Sequence, residues 1–167
     1  MLIRLEKRKD GAAVRIINLS AFNTPAEADL VEVLRKEARP IISMVAEEDG
    51  EVVGHILFSP VNLSGKPDLK IMGLGPMAVL PRCQGRGIGS ALVKAGLQRC
   101  REIGFRAVTV LGHPWFYPRF GFVPSIMYGI TSDYEVPADV FMLTELQPGY
   151  LDGAGGTIHY HAAFNDV

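Results

Sequence analysis

Cysteine, excess charge and long apolar runs are all scarce in this sequence, and each scarcity argues against a class of protein. The two cysteines, Cys83 and Cys100, cannot build a disulfide framework and lack the spacing of a metal site. Basic and acidic residues nearly balance, at 17 and 18, whereas nucleic-acid-binding proteins usually carry a basic excess. No stretch approaches the roughly 20 apolar residues of a membrane span, and residues 1–10 are too charged for a signal peptide. We therefore expect a cytoplasmic protein that binds neither membrane nor nucleic acid.

What the sequence does contain is typical of one globular unit. Hydrophobic residues make up 48% of its 167 residues, enough to bury a core without metal or disulfide support. No internal repeat or linker-like stretch divides the chain, so we expect a single domain over residues 1–167. Its oligomeric state is left open, and a homodimer is compatible with the sequence.

Local signals in the first half predict two helices and a hairpin. Apolar residues recur at helical spacing over residues 12–22. In the next segment Thr24 can cap a helix, Pro25 suits its first position, and Glu27 stands where a capping box needs a carboxylate. Asp49-Gly50, between two β-rich runs, predicts a hairpin turn. We expect a second turn at residues 66–68.

The middle of the chain predicts a strand, a glycine-rich turn, a helix and a second strand. The first strand, residues 69–80, is interrupted by glycines and a proline, which favours a bulged or splayed strand. The helix should end at Gly104, and residues 106–111 should form the next strand, parallel to the first. Two further strands are expected at 141–146 and 156–161.

The glycine-rich turn, Gln84-Gly-Arg-Gly-Ile-Gly89, is the most informative stretch. A helix that starts here leaves its first amides unpaired, and its dipole places partial positive charge at that end. Glycines remove side chains where a ligand must approach the backbone, so the turn resembles a phosphate cradle. Arg82 and Arg86 flank the turn and could pair with phosphate oxygens.

Three other interpretations of this turn differ in strength. It could simply allow a helix to pack closely on a strand, with no ligand. A dinucleotide-binding fold needs an acidic residue at the end of the next strand, but that strand ends Val110-Leu111-Gly112-His113. A Walker-type loop is excluded because no Lys-Ser/Thr pair follows the glycines.

Two motifs resemble those of a known family. Met77-Ala-Val-Leu-Pro-Arg-Cys-Gln-Gly-Arg-Gly-Ile-Gly-Ser90 resembles the acetyl-CoA signature of the GNAT superfamily of N-acetyltransferases, with Gln84, Gly87 and Gly89 at the core positions. Downstream, Phe116-Tyr117-Pro-Arg-Phe-Gly-Phe122 resembles the second signature of that family. The tail over residues 146–160 is similar to the small bacterial YhbS-like subgroup, so the resemblance covers nearly the whole chain.

The resemblance implies a mixed α/β fold, with a twisted sheet flanked by helices and a splayed central strand pair. The coenzyme A arm would lie in the splay, paired with the strand before the glycine turn as an added strand would be. The diphosphate would lie on the amides of the turn. The residues implied in binding acetyl-CoA are Met77, Ala78, Val79, Gln84, Gly85, Arg86, Gly87, Ile88, Gly89 and Ser90.

Tyr117 matches the family tyrosine that often protonates the sulfur of coenzyme A. A phenol stays protonated at neutral pH and can donate a proton. The alternative is an aromatic core residue whose hydroxyl is bonded locally.

No general base is assigned. The strand at 69–80, where family members often carry a carboxylate, contains neither Asp nor Glu. Alternatives that act directly or through water are His55, His113, Glu47 and Glu51. The family's Asn-x-x-Ala stretch is also missing, because Val110 and His113 occupy those positions.

Two other sets of side chains are candidates for a chemical role. Cys83, beside the turn, could act as a nucleophile, although direct transfer needs no acyl-enzyme. His159 and His161 could bind a metal but lack a third ligand, so no metal is expected.

The sequence therefore predicts an N-acetyltransferase that uses acetyl-CoA as cosubstrate and a small-molecule or peptide amine as acceptor. Two alternatives stay open. One is a non-catalytic acyl-CoA-binding regulatory module, and the other is a nucleotide-binding oxidoreductase domain.

Overall fold

The computed structural model describes all 167 residues, and its centre is a nine-stranded mixed sheet. The strands are β1 (Leu2–Leu5), β2 (Ile42–Glu48), β3 (Glu51–Leu63), β4 (Lys66–Val79), β5 (Ala107–Leu111), β6 (Val123–Pro124), β7 (Ile130–Ser132), β8 (Phe141–Glu145) and β9 (Gly156–His159). Three α-helices flank the sheet: α1 (Gly11–Ala21), α2 (Ala26–Glu37) and α3 (Ile88–Glu102). The predicted mixed α/β architecture is confirmed. None of the helices has the length and hydropathy that crossing a bilayer requires.

The strand order is β1-β2-β3-β4-β5-β8-β6, and β9 pairs with both β3 and β7. The strands on either side of α3 are parallel, with Ile71 opposite Ala107 and Leu74 opposite Val110. This confirms the predicted strand–turn–helix–strand unit. The predicted hairpin is also present, because Asp49 and Gly50 both take positive φ, at 50° and 80°, between β2 and β3.

The helix α3 covers one face of the sheet with its apolar side. Leu92, Val93 and Leu97 are buried there in one cluster with Phe58 and Met72. Close approach needs a glycine in α3, since a Cβ at Gly96 would lie 2.2 Å from the Phe58 ring. The packing places the start of α3 beside the end of β4.

The helices α1 and α2 cover part of the opposite face. Val14 of α1 and Leu34 of α2 are buried against Val45 and Leu57 of the sheet. The connection between these two helices is thereby held close to the middle of the sheet, on the side away from α3.

Two local predictions were wrong in detail. The turn between β3 and β4 is at Ser64-Gly65, where Gly65 has φ 71°, and not at residues 66–68. A glycine that can take left-handed φ makes the tighter turn, and Pro67 is tolerated because β4 is irregular between Lys66 and Ile71. In α2, Pro25 precedes the helix instead of occupying its first position.

The predicted splay is present between β4 and β5. The two strands pair only from Ile71 to Leu74 on β4. Beyond Leu74, Gly75 takes φ 147° and β4 continues along β3 alone, with Met77, Ala78 and Val79 opposite Ile56, His55 and Gly54. The other edge of this stretch therefore faces no strand and opens a gap in the sheet.

Candidate active site

A cleft of about 1110 Å³ passes through the gap between β4 and β5. Its floor includes the diverging ends of these strands, from Leu74 to Val79 and from Val110 to Gly112. On the α3 side it reaches the glycine turn, and we call that part, lined by residues 77–79, 83–85 and 87–90, the glycine arm. On the α1–α2 side it reaches the helix connection and the last part of the chain. We call that part the aromatic arm, lined by Phe22, Glu27, Leu30, Tyr134, Glu135, Tyr160 and Phe164.

The glycine arm presents the bare start of α3. Gly87 forms the N-cap of the helix in a left-handed conformation, with φ 84°, and no side chain caps it. The first amide of α3 that has a backbone acceptor is that of Ala91, which donates to the Gly87 carbonyl at 3.1 Å. The amides of Ile88, Gly89 and Ser90 are left for a ligand, and the helix dipole makes this position favourable for an anion.

The glycines of the turn serve two different purposes. Gly85 and Gly87 adopt φ 77° and 84°, a region that side chains with a Cβ rarely occupy. Gly89 has ordinary helical geometry, and a Cβ there would make only normal contacts at 3.7 Å with Met77 and Phe116. The first two glycines therefore shape the turn. The third keeps its surface open.

Gln84 connects the turn to the strand before it. Its side-chain Nε2 donates to the Val79 carbonyl at 3.0 Å. This bond links the amides of the turn to the free edge of β4. All the predicted cofactor residues except Arg86 line the same cleft.

The two arginines near the turn are the exceptions. The Arg86 side chain lies outside the cleft and pairs with Glu48, and Arg82 pairs with Glu51. Both carboxylates belong to the β2–β3 hairpin. In this structure nearby carboxylates attract both guanidinium groups, and their pairing with phosphate oxygens stays a prediction. Arg86 retains only its backbone position in the turn.

Tyr117 lies beside the gap. It is buried, with its ring at 5.0 Å from Phe116 and 5.7 Å from Phe122, and against Gly112, where a Cβ would lie 2.3 Å from the ring. Its hydroxyl makes no hydrogen bond to the protein. The hydroxyl oxygen remains accessible to solvent. Burial raises the pKa of Tyr117 to about 12. The phenol is thus protonated at neutral pH and free to donate into the cleft.

The alternative bases lie in different surroundings. His55 is fully buried outside the cleft, and its Nε2 bonds to the Ser43 hydroxyl at 2.8 Å. Burial, assisted by the charge of Arg35, lowers the pKa of His55 to about 3. Glu47 is paired with Arg4 at 3.0 Å, and Glu51 with Arg82 as noted. None of these three lines the cleft.

His113 does line the cleft, where its ring stacks on Trp115 at 4.9 Å. Cys83 lines it too, with its sulfur 3.6 Å from the Arg82 side chain. It is buried and no histidine bonds to it, so the nucleophile hypothesis gains no partnered base. The structure contains no group of three or more His, Cys, Asp or Glu that could hold a metal. His159 instead pairs with Asp133 at 2.7 Å.

Sequence reasoning missed the aromatic arm. Its side chains come from the α1–α2 connection, residues 134–136 and the last part of the chain, and no motif spacing links them. Tyr160 holds the arm against the sheet: its hydroxyl bonds to Thr109 at 2.8 Å, and its ring lies 6.0 Å from Tyr134 and 5.0 Å from Phe164. Glu27 is here too, since it lines the cleft and does not close the predicted capping box.

Known proteins resemble this chain over most of its length. The family model described as “Acetyltransferase (GNAT) family” matches residues 12–122. The “Uncharacterized N-acetyltransferase YhbS” of Escherichia coli strain K12 is 35% identical over 166 residues, which are 99% of each chain. A crystal structure of Escherichia coli YhbS in complex with CoA superposes with a TM-score of 0.93 at 34% identity, covering 98% of this chain and 91% of that one. A GNAT family acetyltransferase from Brucella melitensis in complex with acetyl-CoA gives 0.80 at 37% identity, covering 98% and 97%.

Proposed function

Since this chain belongs to the acetyltransferase (GNAT) family and is an acyltransferase, we propose that it transfers the acetyl group of acetyl-CoA directly to an amine acceptor. The observation that carries the proposal is the cleft itself. It joins a bare helix start, an unpaired strand edge and an unbonded tyrosine hydroxyl in one continuous space. The related proteins crystallised with CoA and acetyl-CoA support the choice of cosubstrate.

We assign acetyl-CoA to the glycine arm. The diphosphate lies on the amides between Gln84 and Ser90, where the α3 dipole offsets its charge. The pantetheine arm runs along Met77, Ala78 and Val79 and bonds to the edge of β4 that no strand occupies. This placement directs the thioester toward the gap, beside Tyr117.

Acetyl transfer also requires a proton to reach the departing sulfur and another to leave the amine. As the acceptor nitrogen forms its bond to the acetyl carbon, the carbon–sulfur bond breaks and the departing sulfur takes a proton from the Tyr117 hydroxyl. The amine loses one proton in the same transfer, which restores the phenol through solvent in the cleft. Backbone amides near residues 77–79 polarise the thioester carbonyl. We assign no side chain as general base, because the amine can react once it is neutral.

The test uses the one tryptophan of the chain, Trp115, which lines the cleft and is 71% exposed. Titration with acetyl-CoA should change its fluorescence, and calorimetry should give the same dissociation constant. Incubation with acetyl-CoA and a panel of primary amines should release free thiol. Absence of binding in both assays would contradict the proposal. Tight binding with no thiol release for any amine would favour the regulatory module instead.

A further inference from the structure

We propose that Glu27 binds the protonated amine of the acceptor as it enters the cleft, so that the protein selects cationic amines attached to an apolar or aromatic body. The bound ammonium then loses its extra proton to solvent in the cleft, and the neutral nitrogen attacks the thioester. This rests on the acetyl transfer proposed above and specifies the substrate class of the same cleft.

Glu27 is a carboxylate without a partner. It lies in the first turn of α2, is partly buried and lines the cleft. It makes neither a hydrogen bond nor an ion pair, whereas Asp29 and Glu32 of the same helix pair with Arg15 at 3.0 and 3.2 Å. A partly buried carboxylate with no partner loses hydration without gaining a bond. A ligand cation in the cleft would supply the missing bond.

The charge of the aromatic arm has one sign. The acidic side chains of this arm are Glu27 and Glu135, and no lysine or arginine lines it. The single arginine of the cleft, Arg119, lies over the Phe116 ring at 4.8 Å, beside the glycine arm. An anionic acceptor would therefore meet repulsion where a cationic amine meets attraction.

The rest of the arm suits an apolar body. Its walls are the side chains of Phe22, Leu30, Tyr134 and Phe164. The hydroxyl of Tyr160 is already bonded to Thr109, which leaves it less hydrogen-bonding capacity for a polar ligand. Aromatic rings also attract cations through their faces. The arm thus offers carboxylate and aromatic contacts, but few hydrogen-bonding groups for a sugar or a polyol.

Two probes that share the same amine and ring test this inference. Phenylalanine amide carries a neutral amide group and is cationic when its amine is protonated, whereas phenylalanine carries a carboxylate in place of the amide. In initial-rate assays with acetyl-CoA, the wild type should favour the amide by about tenfold or more in kcat/KM. Glu27→Gln should raise the KM for the amide by about tenfold and leave the KM for acetyl-CoA unchanged. Glu27→Asp should restore part of the loss.

The matched control is Glu102→Gln. Glu102 is an exposed, unpaired carboxylate at the end of α3, outside the cleft. Its replacement by glutamine changes the net charge by the same amount as Glu27→Gln. This variant should behave as wild type. Thermal melting of both variants separates misfolding from lost recognition.

The outcomes distinguish the two proposals. If the wild type binds acetyl-CoA but uses phenylalanine as well as its amide, or uses neither, the role of Glu27 in selection is overturned and acetyl transfer to another amine still stands. Equal kinetics of Glu27→Gln and wild type on the amide also overturn it. Failure to bind acetyl-CoA overturns the proposed function and, with it, this inference.

Discussion

The two arms of the cleft are built in opposite ways. The glycine arm comes from nearly consecutive residues, 77–79, 83–85 and 87–90, and offers mainly backbone amides. The aromatic arm comes from three distant parts of the chain and offers mainly side chains. The first should therefore be sensitive to backbone conformation and tolerant of side-chain changes, and the second should show the reverse. The proposed cosubstrate, which the relatives crystallised with CoA and acetyl-CoA support, fits the first kind of site, and a particular acceptor fits the second.

The largest effect is expected where the arms meet. Tyr117→Phe should lower kcat by about a hundredfold, the usual contribution of a general acid, and leave the affinity for acetyl-CoA unchanged. The ring keeps its contacts with Phe116 and Phe122, so folding should be preserved. Because the pKa of Tyr117 is raised to about 12, wild-type activity should not fall on the alkaline side before pH 10. Steady-state rates across pH check both points, and unchanged kcat in the variant would remove Tyr117 from the mechanism.

The backbone character of the glycine arm can be isolated with two glycines at opposite ends of α3. Gly87 and Gly104 have φ 84° and 96°, and a Cβ at either would meet nothing within 4 Å. Alanine at each should therefore cost a similar 1–2 kcal/mol or so of backbone strain. Only Gly87→Ala should also raise the dissociation constant for acetyl-CoA, by about tenfold, since it distorts the amides that bind phosphate.

Denaturant unfolding and calorimetry together measure these two quantities. Equal weakening of binding by Gly104→Ala would mean that the turn has no special part in it. Ser90→Ala, a side-chain change in the same arm, should bind as wild type.

The layers behind the arms also differ. Behind the glycine arm the core is apolar. On the α1–α2 side the core contains the buried His55. Its Nδ1 accepts a hydrogen bond from Asn18 at 3.4 Å, and its Nε2 bonds to the Ser43 hydroxyl. Because the pKa of His55 is about 3 when folded and 6.5 ordinarily, the unfolded chain binds one more proton between these values. The free energy of unfolding should therefore fall on acidification through this window, by up to about 1.4 kcal/mol per pH unit.

Chemical denaturation between pH 7 and pH 5 measures this slope. Asp10, whose pKa is lowered to about 2 by its bond to Arg4, begins to lose its contribution only within about one pH unit of its ordinary value of 3.8, so it interferes little above pH 5. His55→Gln should flatten the slope. If the free energy of unfolding of this variant depended on pH as steeply as that of the wild type, the proton would be taken up by a group other than His55.

The smallest effect concerns the arginines beside the glycine arm. Glu48→Gln frees Arg86 from its carboxylate partner, so the guanidinium can turn toward the phosphates of acetyl-CoA. The pair is largely exposed and therefore weak, and we expect affinity to rise by about twofold. Calorimetry at two salt concentrations should show the gain shrinking at the higher one. Weaker binding in Glu48→Gln would mean that the pair supports the turn.

Much of the fold was predictable because its signals are local. Asp49-Gly50 forms the predicted hairpin turn, and Gly85 and Gly87 take the positive φ of the turn that leads into α3. The strands on either side of α3 pair in parallel, as predicted. The turn at Ser64-Gly65 was missed because the nearby Pro67 and Asp68 carry an equally strong turn signal. Only the irregular pairing of β4 with β3 decided between them.

The sequence by itself determined the glycine arm, because positive φ and unpaired helix amides depend on residues that are neighbours in the chain. Only the tertiary structure decided the aromatic arm, the pairing of Arg86 with Glu48 and the burial of His55. It also left Glu27, which the sequence suggested as a helix cap, facing the cleft without a partner. The physical reason is that contacts, charge pairing and desolvation depend on which distant segments meet, and no spacing along the chain encodes that.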